Sequence, residues 1–214
     1  MTVQDDARIA VNSQGTGEGG NIDIKAGSLT LNNQALIWAE TLSSQGGDIT
    51  IGLQDILLLS RGSQISTTAG TARLGGDGSN ITINAPSGFI VAAPLKYNSD
   101  ITANAFSGQG GKVTINATGI FGIAPLSRQE LERLLPDHLD PRQLQTNDIT
   151  AILQQNPSLS GIVEINTPDV DPSRGLVNLP AVPMITTLRS QQGQSAPSLL
   201  SEVASSSDQV LPAA

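Results

Sequence analysis

The chain of 214 residues contains no cysteine, so it has neither a disulfide framework nor a thiolate metal site. Its single histidine, His138, excludes the histidine clusters that hold zinc. Aromatic residues are nearly as scarce, with three Phe, one Trp and one Tyr. An ordinary globular core draws much of its buried area from such rings, so this core has to be built from aliphatic side chains. Charged residues make up 14% of the sequence, against about 25% in typical domains. Basic residues are outnumbered, 11 to 19, for a net charge of −8. With no basic cluster to hold a phosphate backbone, nucleic acid is excluded as a partner. No run approaches the ~20 apolar residues of a transmembrane helix. The opening stretch MTVQDDARIA lacks the apolar segment of a signal peptide. Walker, Rossmann, HExxH and GxSxG motifs are missing as well. We therefore assign no catalytic, cofactor-binding or metal-binding residues and no cofactor, and we expect a protein that is not an enzyme.

What the chain does have is a phrase that returns along its length. It reads GGNIDIKA at 19–26, GGDITIGL at 46–53, GSNITINA at 78–85, GGKVTINA at 110–117 and SGIVEINT at 160–167. Small turn residues precede branched apolar pairs each time: Ile22/Ile24, Ile49/Ile51, Ile81/Ile83, Val113/Ile115 and Val163/Ile165. A second segment recurs in phase: ARIAV at 7–11, LIWAE at 36–40, QISTT at 64–68, DITAN at 100–104 and DITAI at 148–152. Its second or third residue is always isoleucine (Ile9, Ile37, Ile65, Ile101, Ile149), and the next first-strand residue follows 12 to 16 positions later. A third apolar run lies between the two, at Leu29/Leu31, 56–59, 89–92 and 120–123.

Internal repeats of about 20–50 residues signify a repeat architecture. Period-2 alternation over 3–5 residues between Gly, Asn and Ser turns signifies strands. The units are too short for a strand–helix–strand crossover. These observations predict an all-β fold, a parallel β-helix with three short strands per coil over residues 1–180. The handedness rule for parallel crossovers makes it right-handed. Equivalent residues then stack ~4.8 Å apart. The five isoleucines form one ladder, and Asn21, Asp48 and Asn80 form a polar one.

Residues 125–146 interrupt this pattern with a small helical insertion. Ser127-Arg-Gln-Glu130 has the form of a capping box, with Leu126 and Leu131 placed as a hydrophobic staple. Leu131, Leu134 and Leu135 give one apolar face, Pro136 ends the helix, and Asp140-Pro141 starts a second short one. We read the insertion as a decoration that covers a coil end or side rather than a partner-docking or lid element. Segment 148–156 is read as strand. A last strand is expected near Leu176–Leu179, followed by a Ser-, Gln- and Pro-rich tail over 181–214 too poor in apolar groups to form a core, and so disordered.

Three features invite a chemical reading. His138 is expected to be a surface residue. Asp100 and Asp148 share one repeat position, and carboxylates about 5 Å apart serve retaining glycosidases. No aromatic platform or basic residue accompanies them in the sequence, so we read them as solvated carboxylates beside a strand. GGDGSNITI at 75–83 approaches one calcium-binding nonapeptide, but Asn80 stands where an Asp is needed and no second copy follows. It reads as a glycine turn.

The units GGNIDIKAGSLTLNNQALIWAET and GGDITIGLQDILLLSRGSQISTTAGT resemble the repeats of filamentous-haemagglutinin-like large exoproteins of the cyanobacterial type. The stretch from SDITANAFSGQGGKVTINATGIFGI through the insertion to NDITAILQQNPSLSGIVEINTPDVDPSRGLVNLP is similar to the closing part of their repeat region. The likeness spans about residues 5–180. It implies a β-helix passenger of two-partner secretion, exported through an outer-membrane barrel to the cell surface or beyond, where it serves adhesion or cell contact. The partner implied is a surface receptor or polysaccharide. The signal peptide and secretion domain of that family are not seen here, and we expect the chain to be the C-terminal part of a longer passenger. Two other readings stand beside this one, a carbohydrate-active β-helix enzyme and a truncated structural remnant.

Overall fold

The computed structural model describes residues 1–168, apart from residues 14, 16, 43, 71–74, 95–96 and 137–138. They belong to one compact unit, Met1–Asp171. The expected last strand and the tail lie outside the described residues. The unit is a parallel β-helix, as the repeats predict.

Strands β1 (Thr2–Gln4), β4 (Leu29–Asn32), β7 (Ile56–Ser60), β9 (Ile81–Ala92) and β11 (Lys112–Phe121) run through one sheet, which also holds β3 (Ile22–Ala26), β6 (Ile49–Leu53) and β14 (Ile162–Asn166). Here β9 and β11 each fuse the first and third apolar runs of a coil into a single strand. The second sheet holds β2 (Arg8–Ala10), β5 (Leu36–Trp38), β8 (Gln64–Ser66), β10 (Ile101–Thr102), β13 (Asp148–Thr150) and β12 (Ala124–Pro125). Every pairing between named strands is parallel.

The register is the one the sequence predicts. Ile9 pairs with Ile37, Ile37 with Ile65, Ile65 with Ile101 and Ile101 with Ile149. Ile37, Ile65, Ile101 and Ile149 are completely buried, whereas Ile9 on the outermost rung is only partly so. A second ladder runs Ile22–Ile49–Ile81–Val113–Val163. Branched side chains suit such stacking because few rotamers are open to them. Removing one such side chain from water contributes about 1.5–3 kcal/mol.

Two kinds of corner let the chain turn. Between the second and third strands of a coil the backbone enters the left-handed region, with φ between 52° and 61° at Asp5, Asp6, Asn33, Gln34 and Arg61. Asp and Asn tolerate that region better than other side chains do. Before the first strand the coils touch instead. A Cβ on Gly47 would overlap the Gly20 carbonyl, and one on Gly111 the Ser79 carbonyl. The glycines of the repeated phrase are thus required by space rather than by φ.

The polar ladder at Asn21, Asp48 and Asn80 exists, but in another form than amide stacking. The Asn21 Oδ1 accepts from the Asp48 N–H (2.9 Å), the Asp48 Oδ1 from the Asn80 N–H (2.8 Å), and the Asn80 Oδ1 from the Lys112 N–H (3.2 Å). Only an acceptor is needed, so Asp and Asn serve alike. A true amide ladder stands elsewhere: Asn116 Nδ2 donates to Asn84 Oδ1 (2.6 Å) and Asn166 Nδ2 to Asn116 Oδ1 (2.8 Å).

The insertion holds one α-helix, α1 (Arg128–Leu134), whose capping box is formed by Ser127 and Glu130 as the sequence predicts. The second expected helix is a single 3-10 turn, Pro141–Gln143, capped by Asp140. The expected apolar face reduces to Leu131, which is fully buried, while Leu134 is 52% exposed. With only seven residues, α1 buries one apolar position. The order of the second sheet is unusual at this end. Although β12 precedes β13 in sequence, β13 lies between β10 and β12. The chain goes one rung ahead, forms the insertion and then returns to fill the gap.

Candidate functional site

The insertion docks on the solenoid and covers part of the outer face of the second sheet. The Arg128 Nη1 donates to the Leu153 carbonyl and to that of Gln154 (2.8 Å), fixing α1. The 3-10 turn is held from below by Asn98, whose Nδ2 donates to the carbonyls of Pro141 (3.1 Å) and Leu144. The Gln154 Nε2 reaches the Leu139 carbonyl (3.4 Å). Pro141 is buried in the contact. Asn147 joins the return strand to both neighbours, accepting from the Ser99 N–H (2.7 Å) and donating to the Gly122 carbonyl (2.8 Å).

This cover changes the character of Asp100 and Asp148. Both stand at outward positions directly before Ile101 and Ile149, where solvated carboxylates were expected. Asp100 is instead wholly inaccessible and Asp148 is 6% exposed. Asp100 Oδ1 accepts from the Asp148 N–H (2.9 Å), and its Oδ2 has no partner. Burial pushes the Asp100 carboxyl up to about 7, with the nearby Asp148 and Asp140 acting in the same sense and the Asp148 N–H and Arg142 opposing. Burial also raises Asp148, against a hydrogen bond from the Thr146 hydroxyl (2.7 Å).

A third acid, Glu40, belongs to the same region and was not singled out in the sequence. It is the last residue of LIWAE, equivalent to Thr68 and Asn104 in the later copies, so its repeat position was the available signal. Burial raises its carboxyl, opposed by the Ser66 hydroxyl that donates to Oε1. Ser66 in turn accepts from Thr102 (2.9 Å), which makes a polar row of one carboxyl and two hydroxyls across three rungs. The Arg142 guanidinium faces these acids but is bonded to Asp140 (Nε–Oδ1 2.9 Å, Nη2–Oδ2 3.0 Å), which holds its own basicity up. Between Glu40 and the 3-10 turn lies a cavity of about 40 Å³, with Thr102, Asn104 and Gln154 on its floor. Beside it a second of about 90 Å³ lies among Trp38, Gln64 and Ser66. Such spaces suit water rather than a sugar ring.

His138 is not among the described residues. In the GGDGSN turn, Asp77 Oδ1 accepts from the Gln109 N–H (2.8 Å) and Asn80 Oδ1 from the Lys112 N–H, so both oxygens serve the next coil. Among the described residues, no group of three or more His, Asp or Glu side chains is placed to hold a metal ion, and no helix is long and apolar enough to cross a membrane. Compared with family models, curated proteins and solved structures, the chain matches none.

Proposed function

We propose that this chain is a non-enzymatic segment of a secreted or surface adhesin of the filamentous haemagglutinin type, whose outer face contacts a polysaccharide or other surface receptor. As part of a longer passenger it would leave the cell through an outer-membrane barrel. The observation that carries this reading is the outward face of the first strands. There Thr50, Thr82 and Thr114 follow one another in register, flanked by Asp23 and Glu164. Beside them runs the row Gly52, Asn84, Asn116 and Asn166. Donors and acceptors repeated at strand spacing of about 4.8 Å match a ligand that itself repeats. Phe89 and Phe121, two of the three Phe in the chain, lie side by side on the neighbouring outer surface (centroids 6.0 Å apart, 41% and 56% exposed). The two rings give the otherwise polar face a small apolar spot that a partner could cover. The inaccessibility of Asp100 weighs against the sugar-cleaving reading, because a reacting carboxyl has to reach its substrate.

The test is bead retention. Beads carrying the full chain are passed over polysaccharide-coated and whole-cell surfaces, with a Thr82→Lys, Thr114→Lys double variant alongside. Saturable retention on at least one surface, lost in the double variant, is the expected result. Equal retention of both proteins, or none on any surface, would reject the proposal.

A further inference from the structure

The sealed carboxyl beneath the insertion has no part in an adhesive face. Asp100 is completely buried, and its Oδ2 lacks a partner. Residues 139–146 cover it, held to the solenoid through Asn98, Gln154 and the buried Pro141, with a small cavity beside them. The other half of the insertion is fastened differently, by the Arg128 bonds and by the buried Leu131. The two halves are thus held by separate bonds.

We propose that residues 139–146 form a latch over Asp100, closed while this carboxyl holds its proton and released when it ionises. The groups that face it are Asp148 on β13 and Asp140 and Arg142 on the latch itself, with Glu40 on the far side of Arg142. Arg142 cannot neutralise Asp100 fully because it is engaged with Asp140. An ionised Asp100 under the closed latch would lack both water and a full counter-charge, a costly state that lifting the latch relieves. The sense follows from linkage. In the closed form the carboxyl titrates near 7, and in the open form in the ordinary aspartate range near 4. Closure is thus fully supported below about pH 4, weakens by up to tenfold per pH unit above it, and levels off above about 7. Release comes with rising pH.

The experiment is amide hydrogen exchange on the full chain from pH 4.5 to 8, corrected for the intrinsic pH dependence of exchange. The Ser99 and Asp148 amides report on the latch, being bonded to Asn147 and Asp100; the α1 amides serve as the internal reference. Protection at the two reporters should fall steeply toward pH 7 and then level off, with α1 unchanged. In Asp100→Asn, which keeps the Oδ1 acceptor and cannot ionise, protection should be flat. In His138→Gln the transition should persist. Flat protection in the natural chain, a transition that survives Asp100→Asn, or one abolished by His138→Gln would overturn the proposal. Should Asp100→Asn fail to fold, the carboxyl carbon shift of Asp100 in the natural chain decides. A titration near 7 in step with the amides supports the latch, and one near 4 overturns it.

Discussion

Asp48 and Asn116 both stand in ladders, with opposite requirements. Asp48 only accepts, from the Asn80 N–H, and its own N–H is satisfied by Asn21. Asn116 donates to Asn84 and accepts from Asn166. A carboxylate replaces the first function and destroys the second. Asp48→Asn should leave the urea unfolding midpoint unchanged to within about 0.5 kcal/mol. Asn116→Asp should cost about 1–3 kcal/mol, since it turns a second acceptor toward the Asn84 oxygen and leaves both unsatisfied. Equal effects of the two exchanges would mean that the ladders contribute nothing specific. The sequence marks Asn21, Asp48 and Asn80 as equivalent, but residue type alone does not separate an acceptor ladder from an amide ladder. The separation depends on whether the side chain lies before a strand, facing the next coil's N–H, or within one, facing its own kind.

At the scale of elements, the glycine corners set how closely coils approach. Gly111→Ala would drive a methyl group into the Ser79 carbonyl from a buried corner. A destabilisation of about 1–3 kcal/mol is expected, the usual cost of overfilling a tight site. Unchanged thermal stability would show that the coils can part without penalty. These corners, the three strands and the five-isoleucine register were legible because each repeats, and repetition turns a weak local signal into a strong one. The capping box was legible because Ser127 and Glu130 are local partners. The seat of the insertion was not. The burial of Asp100 depends on Asn98 holding the carbonyls of Pro141 and Leu144, contacts between residues more than forty positions apart that no period announces. Strand β1 was missed for a related reason: its short TVQ sequence is identified only by pairing with β4.

For the molecule as a whole, the buried acids and the capping acid pull in opposite directions with pH. Asp100, Asp148 and Glu40 are raised by burial. Their neutral forms fit the folded state, so the stability they confer is complete below the ordinary carboxyl range and is lost as pH rises, for Asp100 up to about 7. Glu130 is lowered by its bonds from Ser127, and its contribution is present above the ordinary glutamate value and lost as pH falls below it. The urea midpoint should therefore be highest in mildly acidic solution and decline toward neutrality, and Asp100→Asn should flatten that decline. A midpoint that rises steadily to pH 8 in the natural chain would contradict the burial of these acids.

The order of strands in the second sheet also has a consequence in time. A solenoid whose coils touch only their neighbours can assemble by adding rungs from one end. At β12 that scheme is interrupted, because Ala124 and Pro125 take their place against a strand that lies further along the chain. As synthesis delivers the chain from its N-terminus, residues 124–125 have no strand partner until 148–150 arrive. Strand β13 can dock on β10 as it emerges, and only then does the intervening loop close to secure β12, at an entropic cost that grows only slowly with its length. The rungs before β12 can form in sequence, whereas β12 is completed out of order, only after the insertion and β13 have followed it.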